Sequence, residues 1–107
     1  MESKTNNQNF ENGLAALKSE AHEEALRLFT AATEDGCAIA FTYLSSMYED
    51  GISVETDTKK AVSLLYQAAD LNDATAFNRL GYLHAVGQYV EKNLGAAVEF
   101  HKLAAQQ

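Results

Sequence analysis

The chain has no proline, no tryptophan, six glycines and a single cysteine among its 107 residues. Without proline, no residue lacks the backbone N–H that a helix interior needs, so helices can run without a forced break. The lone Cys37 excludes an internal disulfide framework and any multi-cysteine metal site, and it suits a reducing compartment. No apolar run approaches the length that crosses a bilayer. The opening stretch MESKTNNQNF is polar where a signal peptide needs an apolar segment, so a cytoplasmic location is expected. Basic residues are also scarce, eight Lys and Arg against fifteen Asp and Glu, for a net charge of −7. Residues 1–57 hold eleven acidic and three basic side chains, a balance of −8, whereas residues 58–107 balance at +1. An acidic front half repels phosphate backbones, which argues against nucleic acid and favours a partner with a basic surface.

What the chain does contain is apolar residues at helical spacing, repeated. The hydrophobic fraction of 47% is that of a folded domain, and we read residues 1–107 as one domain. EEALRLFTAATE (23–34), KKAVSLLYQAAD (59–70) and GAAVEFHKLAAQ (95–106) follow one another at an interval of thirty-six residues. Ala25, Ala61 and Ala97 align, as do Leu28, Leu64 and Phe100, and Ala32, Ala68 and Ala104. A second element repeats at the same interval, matching Phe41 with Phe77, Leu44 with Leu80, Gly51 with Gly87 and Val54 with Val90. Within each unit the apolar residues recur every three or four positions, the period of an amphipathic helix. Asp57 and Asn93 stand where an N-cap belongs, and Gly36 and Asn72 where a helix end calls for left-handed backbone.

These patterns predict an all-α chain of six helices paired as three antiparallel hairpins, about 6–34, 38–70 and 74–106. One hairpin cannot bury its apolar faces alone, and stacking neighbours does so, which gives a right-handed α-solenoid. The last helix has no polar cap after Ala104 and Ala105, so this end is expected to close as a homodimer, to pack on a partner, or to be continued by further chain.

AFTYLSSMYEDGISVETDTKKAVSLLYQAAD and AFNRLGYLHAVGQYVEKNLGAAVEFHKLAAQ resemble Sel-one-like repeats, the longer-looped relatives of tetratricopeptide repeats. The likeness lies in Ala-Phe-x-x-Leu-small, the Gly-x-x-Val loop, the Asp or Asn cap and the closing alanines. The first hairpin is more similar to a plain tetratricopeptide unit, because Gly13 to Ala25 is twelve residues where Ser45 to Ala61 and Gly81 to Ala97 are sixteen. Ser53 and Tyr89 depart from the family, standing where many members carry a second loop glycine, so another loop path is expected there. The resemblance implies a non-catalytic adaptor or scaffold that holds another protein or peptide on the concave face formed by the first helix of each hairpin. Carried over by position, that face takes Asn7, Phe10, Leu14 and Leu17, then Thr42, Ser46, Glu49 and Asp50, then Asn78, Tyr82 and Ala85. It would be polar and acidic in the middle, with Tyr82 as an aromatic anchor. A narrower alternative is a small acidic inhibitor or immunity protein that neutralises a co-expressed toxin or enzyme.

Enzymatic chemistry has little to stand on. The chain has no phosphate-binding glycine loop, no HExxH, no CxxC and no nucleophile elbow. His22, His84 and His101 are scattered, and the last two read as packed helix residues rather than bases. The acidic EDGISVETD (49–57) does not match a calcium loop, and neither a metal nor a cofactor is expected. Hydrolase activity is the least favoured alternative.

Overall fold

The computed structural model describes residues 7–107, which form six α-helices and, among the described residues, no strand. In chain order they are α1 (Gln8–Lys18), α2 (His22–Glu34), α3 (Ala38–Asp50), α4 (Thr58–Asp70), α5 (Ala74–Val86) and α6 (Leu94–Ala105). Residue 6, where the sequence placed the start of α1, lies outside the described residues. Consecutive helices pair as α1–α2, α3–α4 and α5–α6, and α2–α3 and α4–α5 stack the pairs into a solenoid. The body measures 38 × 37 × 20 Å.

Local chemistry sets the helix ends. Asn7, Asp57, Asp73 and Asn93 each accept a hydrogen bond from a first-turn amide (Phe10, Lys60, Ala76 and Ala96), at 2.9–3.0 Å. Each bond satisfies one of the donors that a helix N-terminus leaves open. α3 and α5 end on Gly51 and Gly87, whose φ of 70° and 73° would crowd any Cβ. Ser53 and Tyr89 adopt left-handed backbone without being glycine, with φ of 63° and 65°. The two loops therefore share one left-handed position although their residues there differ. Asp57 N–H donates to Tyr48 O and Asn93 N–H to His84 O, both at 2.9 Å, so the two seven-residue loops close the same way.

Packing explains the recurrent alanines. Ala25, Ala32, Ala40, Ala68 and Ala76 are wholly buried, because helix axes cross there at a distance that admits no larger side chain. Large side chains fill the spaces between. Phe29 is wholly buried, and its ring lies 5.8 Å from that of Phe10 and 5.3 Å from that of Tyr43. Gly13 makes room for it, since a Cβ on Gly13 would fall 2.7 Å from the Phe29 ring. A second cluster joins Leu65, Ala68 and Ala69 of α4 to Ala76, Phe77, Leu80 and Leu83 of α5. Burying one such Leu or Phe is worth roughly 1.5–3 kcal/mol, so these two clusters hold the stack together.

Candidate protein-binding face

The first helices of the three hairpins, α1, α3 and α5, share one side of the molecule, and two adjoining depressions run across it. The larger, of about 490 Å³, lies between α1 and α3; Leu14, Ala15, Leu17 and Tyr43 line it, with Glu11 and Lys18 at the rim. The smaller, of about 220 Å³, lies between α3 and α5 and is lined by Ile39, Thr42, Tyr43, Ser46 and Thr75. Tyr43 belongs to both. Its ring packs on Phe10 and Phe29 in the core, which fixes it in place while the remaining edge faces the groove. Further along α5, Asn78 is exposed, Tyr82 is 50% exposed and Ala85 is half-buried.

Of the residues carried to this face by position, three are engaged inside the molecule. Phe10 is only 3% exposed, because it completes the aromatic group under the groove, and it cannot line the groove itself. Thr42 is 8% exposed, and its hydroxyl donates to the Asp73 carboxylate at 2.8 Å, tying α3 to the cap of α5. Glu49 is half-buried, accepts from Arg79, and accepts from the Tyr89 hydroxyl at 3.3 Å. Its charge is thus neutralised inside the molecule, and the middle of the face is less acidic than the sequence implied. Leu14 and Leu17 line the larger depression and Ser46 the smaller, while Asp50 is exposed at the end of α3. Asn78 Oδ1 lies 3.4 Å from His101 Nδ1, so its amide is partly engaged within its own hairpin.

Sequence reasoning missed Tyr43 and Ile39. A signal existed for Tyr43: its counterpart in the next repeat is the charged Arg79, so an aromatic there breaks the repeat's polar pattern.

His84 and His101 are held by their neighbours. His84 Nδ1 lies 3.1 Å from Glu91 O, and its Nε2 lies 2.9 Å from the Tyr66 hydroxyl. A carbonyl only accepts, so Nδ1 carries the proton and Nε2 accepts from Tyr66. The ring also stacks on Phe100 at 5.7 Å, and His84 thereby anchors the last loop. His101 rests over Gly81, where a Cβ would meet its ring at 2.8 Å. Cys37 is buried at the start of α3.

Away from this face, an open depression of about 710 Å³ surrounds the start of α2 near Glu20, His22, Glu23 and Ser53. It is larger but faces solvent broadly, and the Glu24–Arg27 pair at its edge is exposed. The hydrogen bond from Arg27 holds the Glu24 carboxyl below its ordinary pKa and raises that of Arg27. No group of three or more His, Cys, Asp or Glu among the described residues is arranged to hold a metal ion, and no helix is long and apolar enough to cross a membrane.

Comparison with solved structures places this architecture. A Sel1 repeat protein from Oxalobacter formigenes superposes with a TM-score of 0.87 at 25% identity, over 92% of this chain. Helicobacter pylori cysteine rich protein B gives 0.73 at 28% identity over 78%. A protective antigen of uropathogenic Escherichia coli with an SLR fold gives 0.81 at 22% identity over 92%, a likeness of fold alone. The chain spans only 42%, 63% and 22% of those three proteins respectively. Comparison with curated proteins found no match. The Sel1 repeat family model matches residues 9–37, 40–73 and 75–107, so it takes in the first hairpin too, despite the three-residue turn between α1 and α2. Sel1 repeat proteins are in general protein-interaction scaffolds and typically non-catalytic. With three repeats covering nearly all of its length, this chain belongs to the Sel1 repeat family.

Proposed function

We propose that this protein is a non-catalytic adaptor that holds a segment of another protein across α1, α3 and α5. The observation that carries the proposal is the pair of adjoining depressions that share Tyr43, with an apolar floor and a polar rim. Binding sites combine these features, an apolar floor for affinity and a few polar groups for orientation. Tyr43 is rigid because its ring is packed from below, so a partner immobilises it at little entropic cost.

The chemistry of the surface describes the partner. Leu14, Leu17, Ile39 and Tyr43 call for apolar side chains, while Ser46, Thr75 and Asn78 offer hydrogen bonds to a backbone. The excess of acidic residues in 1–57 favours a basic surround on the partner, which speeds encounter more than it strengthens the complex.

Affinity capture with the purified chain as bait, followed by titration of the recovered partner, tests this reading. Ala15→Arg and Ser46→Arg fill the two depressions from exposed positions and should weaken binding at least tenfold without moving the melting temperature. A partner whose affinity ignores both substitutions binds elsewhere, and the assignment of this face would be wrong.

A further inference from the structure

The gap between α3 and α5 repeats the gap between α1 and α3 with different chemistry. Gly13 aligns with Ser45 and Gly81, so Leu17 corresponds to Glu49 and Tyr43 to Arg79. Leu17 and Tyr43 wall the larger depression. In the next gap the same two positions hold an ion pair, in which Arg79 Nη2 donates to Glu49 Oε1 and the side chains are 40% and 17% exposed. Glu49 and Arg79 lie one turn beyond Ser46 and Thr75, which line the smaller depression, so the pair stands at its end. A third group comes from the loop after α5. The Tyr89 hydroxyl donates to Glu49 Oε2 at 3.3 Å, and its ring is 45% exposed. Tyr89 reaches this point from left-handed backbone, φ 65°, which a bulky side chain rarely adopts. Strain of this kind concentrates where a side chain is held for a ligand.

Together the three groups are neutral, and this decides what they hold. A carboxylate drawn to Arg79 meets Glu49 at the same guanidinium, and an ammonium drawn to Glu49 meets Arg79. Hydrogen bonding is what remains on offer. A guanidinium has five N–H groups, of which Nη2 serves Glu49, and the Tyr89 oxygen keeps its lone pairs while its proton goes to Glu49. Both side chains bind the one carboxylate, Arg79 on Oε1 and Tyr89 on Oε2, which sets a donor and an acceptor side by side. A carboxamide matches them, since its carbonyl accepts and its NH2 donates. We propose that Glu49, Arg79 and Tyr89 form a subsite that takes the carboxamide of a Gln or Asn side chain of the partner, a proposal that rests on the α1–α3–α5 groove as the binding face. Neighbouring helices lie about 8–10 Å apart and an extended chain rises about 3.1–3.4 Å per residue, so this Gln or Asn stands three residues from the apolar side chain in the larger depression. The subsite is built by α3, α5 and the loop after α5, inside the stack, so repeats added at either end lengthen the groove and leave the subsite open.

The probe is a library of random dodecapeptides displayed on phage and selected against the immobilised full chain, with recovered peptides resynthesised and titrated by fluorescence anisotropy. The expected peptides carry an apolar residue and a Gln or Asn three positions apart. Changing that Gln to Glu, or Asn to Asp, should weaken binding at least about tenfold. Glu49→Gln in the chain frees Arg79 from its carboxylate, so it should reverse the preference and favour the acidic peptide. Tyr89→Phe removes only an exposed hydroxyl and should weaken the carboxamide peptide several-fold at an unchanged melting temperature, so the subsite is tested even if Glu49→Gln lowers stability. Binders that Ala15→Arg and Ser46→Arg weaken, but that show no preference for carboxamide over carboxylate, overturn this proposal and leave the groove standing. A preference that both Glu49→Gln and Tyr89→Phe leave unchanged does the same. A library that yields no binder, or only binders that ignore Ala15→Arg and Ser46→Arg, overturns the groove reading and this proposal with it.

Discussion

Replacing Asp73 with alanine measures how strongly the second and third repeats are joined. Asp73 Oδ2 accepts from the Ala76 amide at 3.0 Å, which caps α5, and from the Thr42 hydroxyl at 2.8 Å, which reaches across from α3. Losing the cap costs about 1 kcal/mol. Losing the second bond strands a hydroxyl that is nearly sealed from water, a further cost of about 1–2 kcal/mol. Asp57 caps α4 in the same way, through the Lys60 amide at 3.0 Å, and its side chain is exposed. Asp57→Ala should therefore cost only about 1 kcal/mol. For a domain of this size each kcal/mol moves the melting temperature by about 4–8 °C, so Asp73→Ala falls by roughly 10–20 °C and Asp57→Ala by about 4–8 °C. Thermal and urea unfolding followed by circular dichroism at the helix band give both values. A double-mutant cycle of Thr42→Ala with Asp73→Ala isolates the cross-repeat bond, with an expected coupling of about 1 kcal/mol. Asp73→Asn should recover most of the loss, because an amide oxygen still accepts from both donors. Equal costs for the two aspartates, together with a coupling below about 0.3 kcal/mol, would refute the assignment.

Other substitutions test separate parts of the packing. Gly13→Ala and Gly81→Ala both add a Cβ within 2.8 Å of a ring, but Phe29 is locked in the core while His101 is exposed and can turn aside. Thermal melts should show Gly13→Ala lowering stability and Gly81→Ala leaving it unchanged or slightly higher, through its better helix propensity. Ala61 is 3% exposed and its carbonyl accepts from Ser45 Oγ at 2.7 Å, so Ala61→Phe overpacks the α3–α4 contact. The cost is about 3 kcal/mol or more, and an unchanged melting temperature would contradict the placement. Because the pKa of Glu24 is lowered by Arg27, the pair's stabilisation is present above the ordinary carboxylate range and fades as pH falls through the lowered value. Both side chains are exposed, so Glu24→Gln should leave acid unfolding curves superimposable on those of the parent.

The sequence by itself determined the helices, their pairing and their stacking. Where two helices touch most closely only a small side chain fits, so Ala25, Ala61 and Ala97 announce the same close contact three times. The caps at Asp57 and Asn93 and the left-handed backbone at Gly36 and Asn72 were legible for a similar reason, since they depend on a few neighbouring residues. The positions of Leu14, Leu17 and Ser46 on the first-helix side followed from register with the family. Which side chains on that side are available was decided only by the tertiary structure. Phe10 looks like a groove residue until the short first turn brings Phe29 and Tyr43 against it. Glu49 looks like a free charge until Arg79 and Tyr89, thirty and forty residues later, converge on it. Tyr43 emerges as the shared wall of two depressions because the stacking sets α1, α3 and α5 side by side. Periodicity reports what each repeat must bury, whereas exposure of a particular side chain depends on neighbours distant in sequence, and those differ from one repeat to the next.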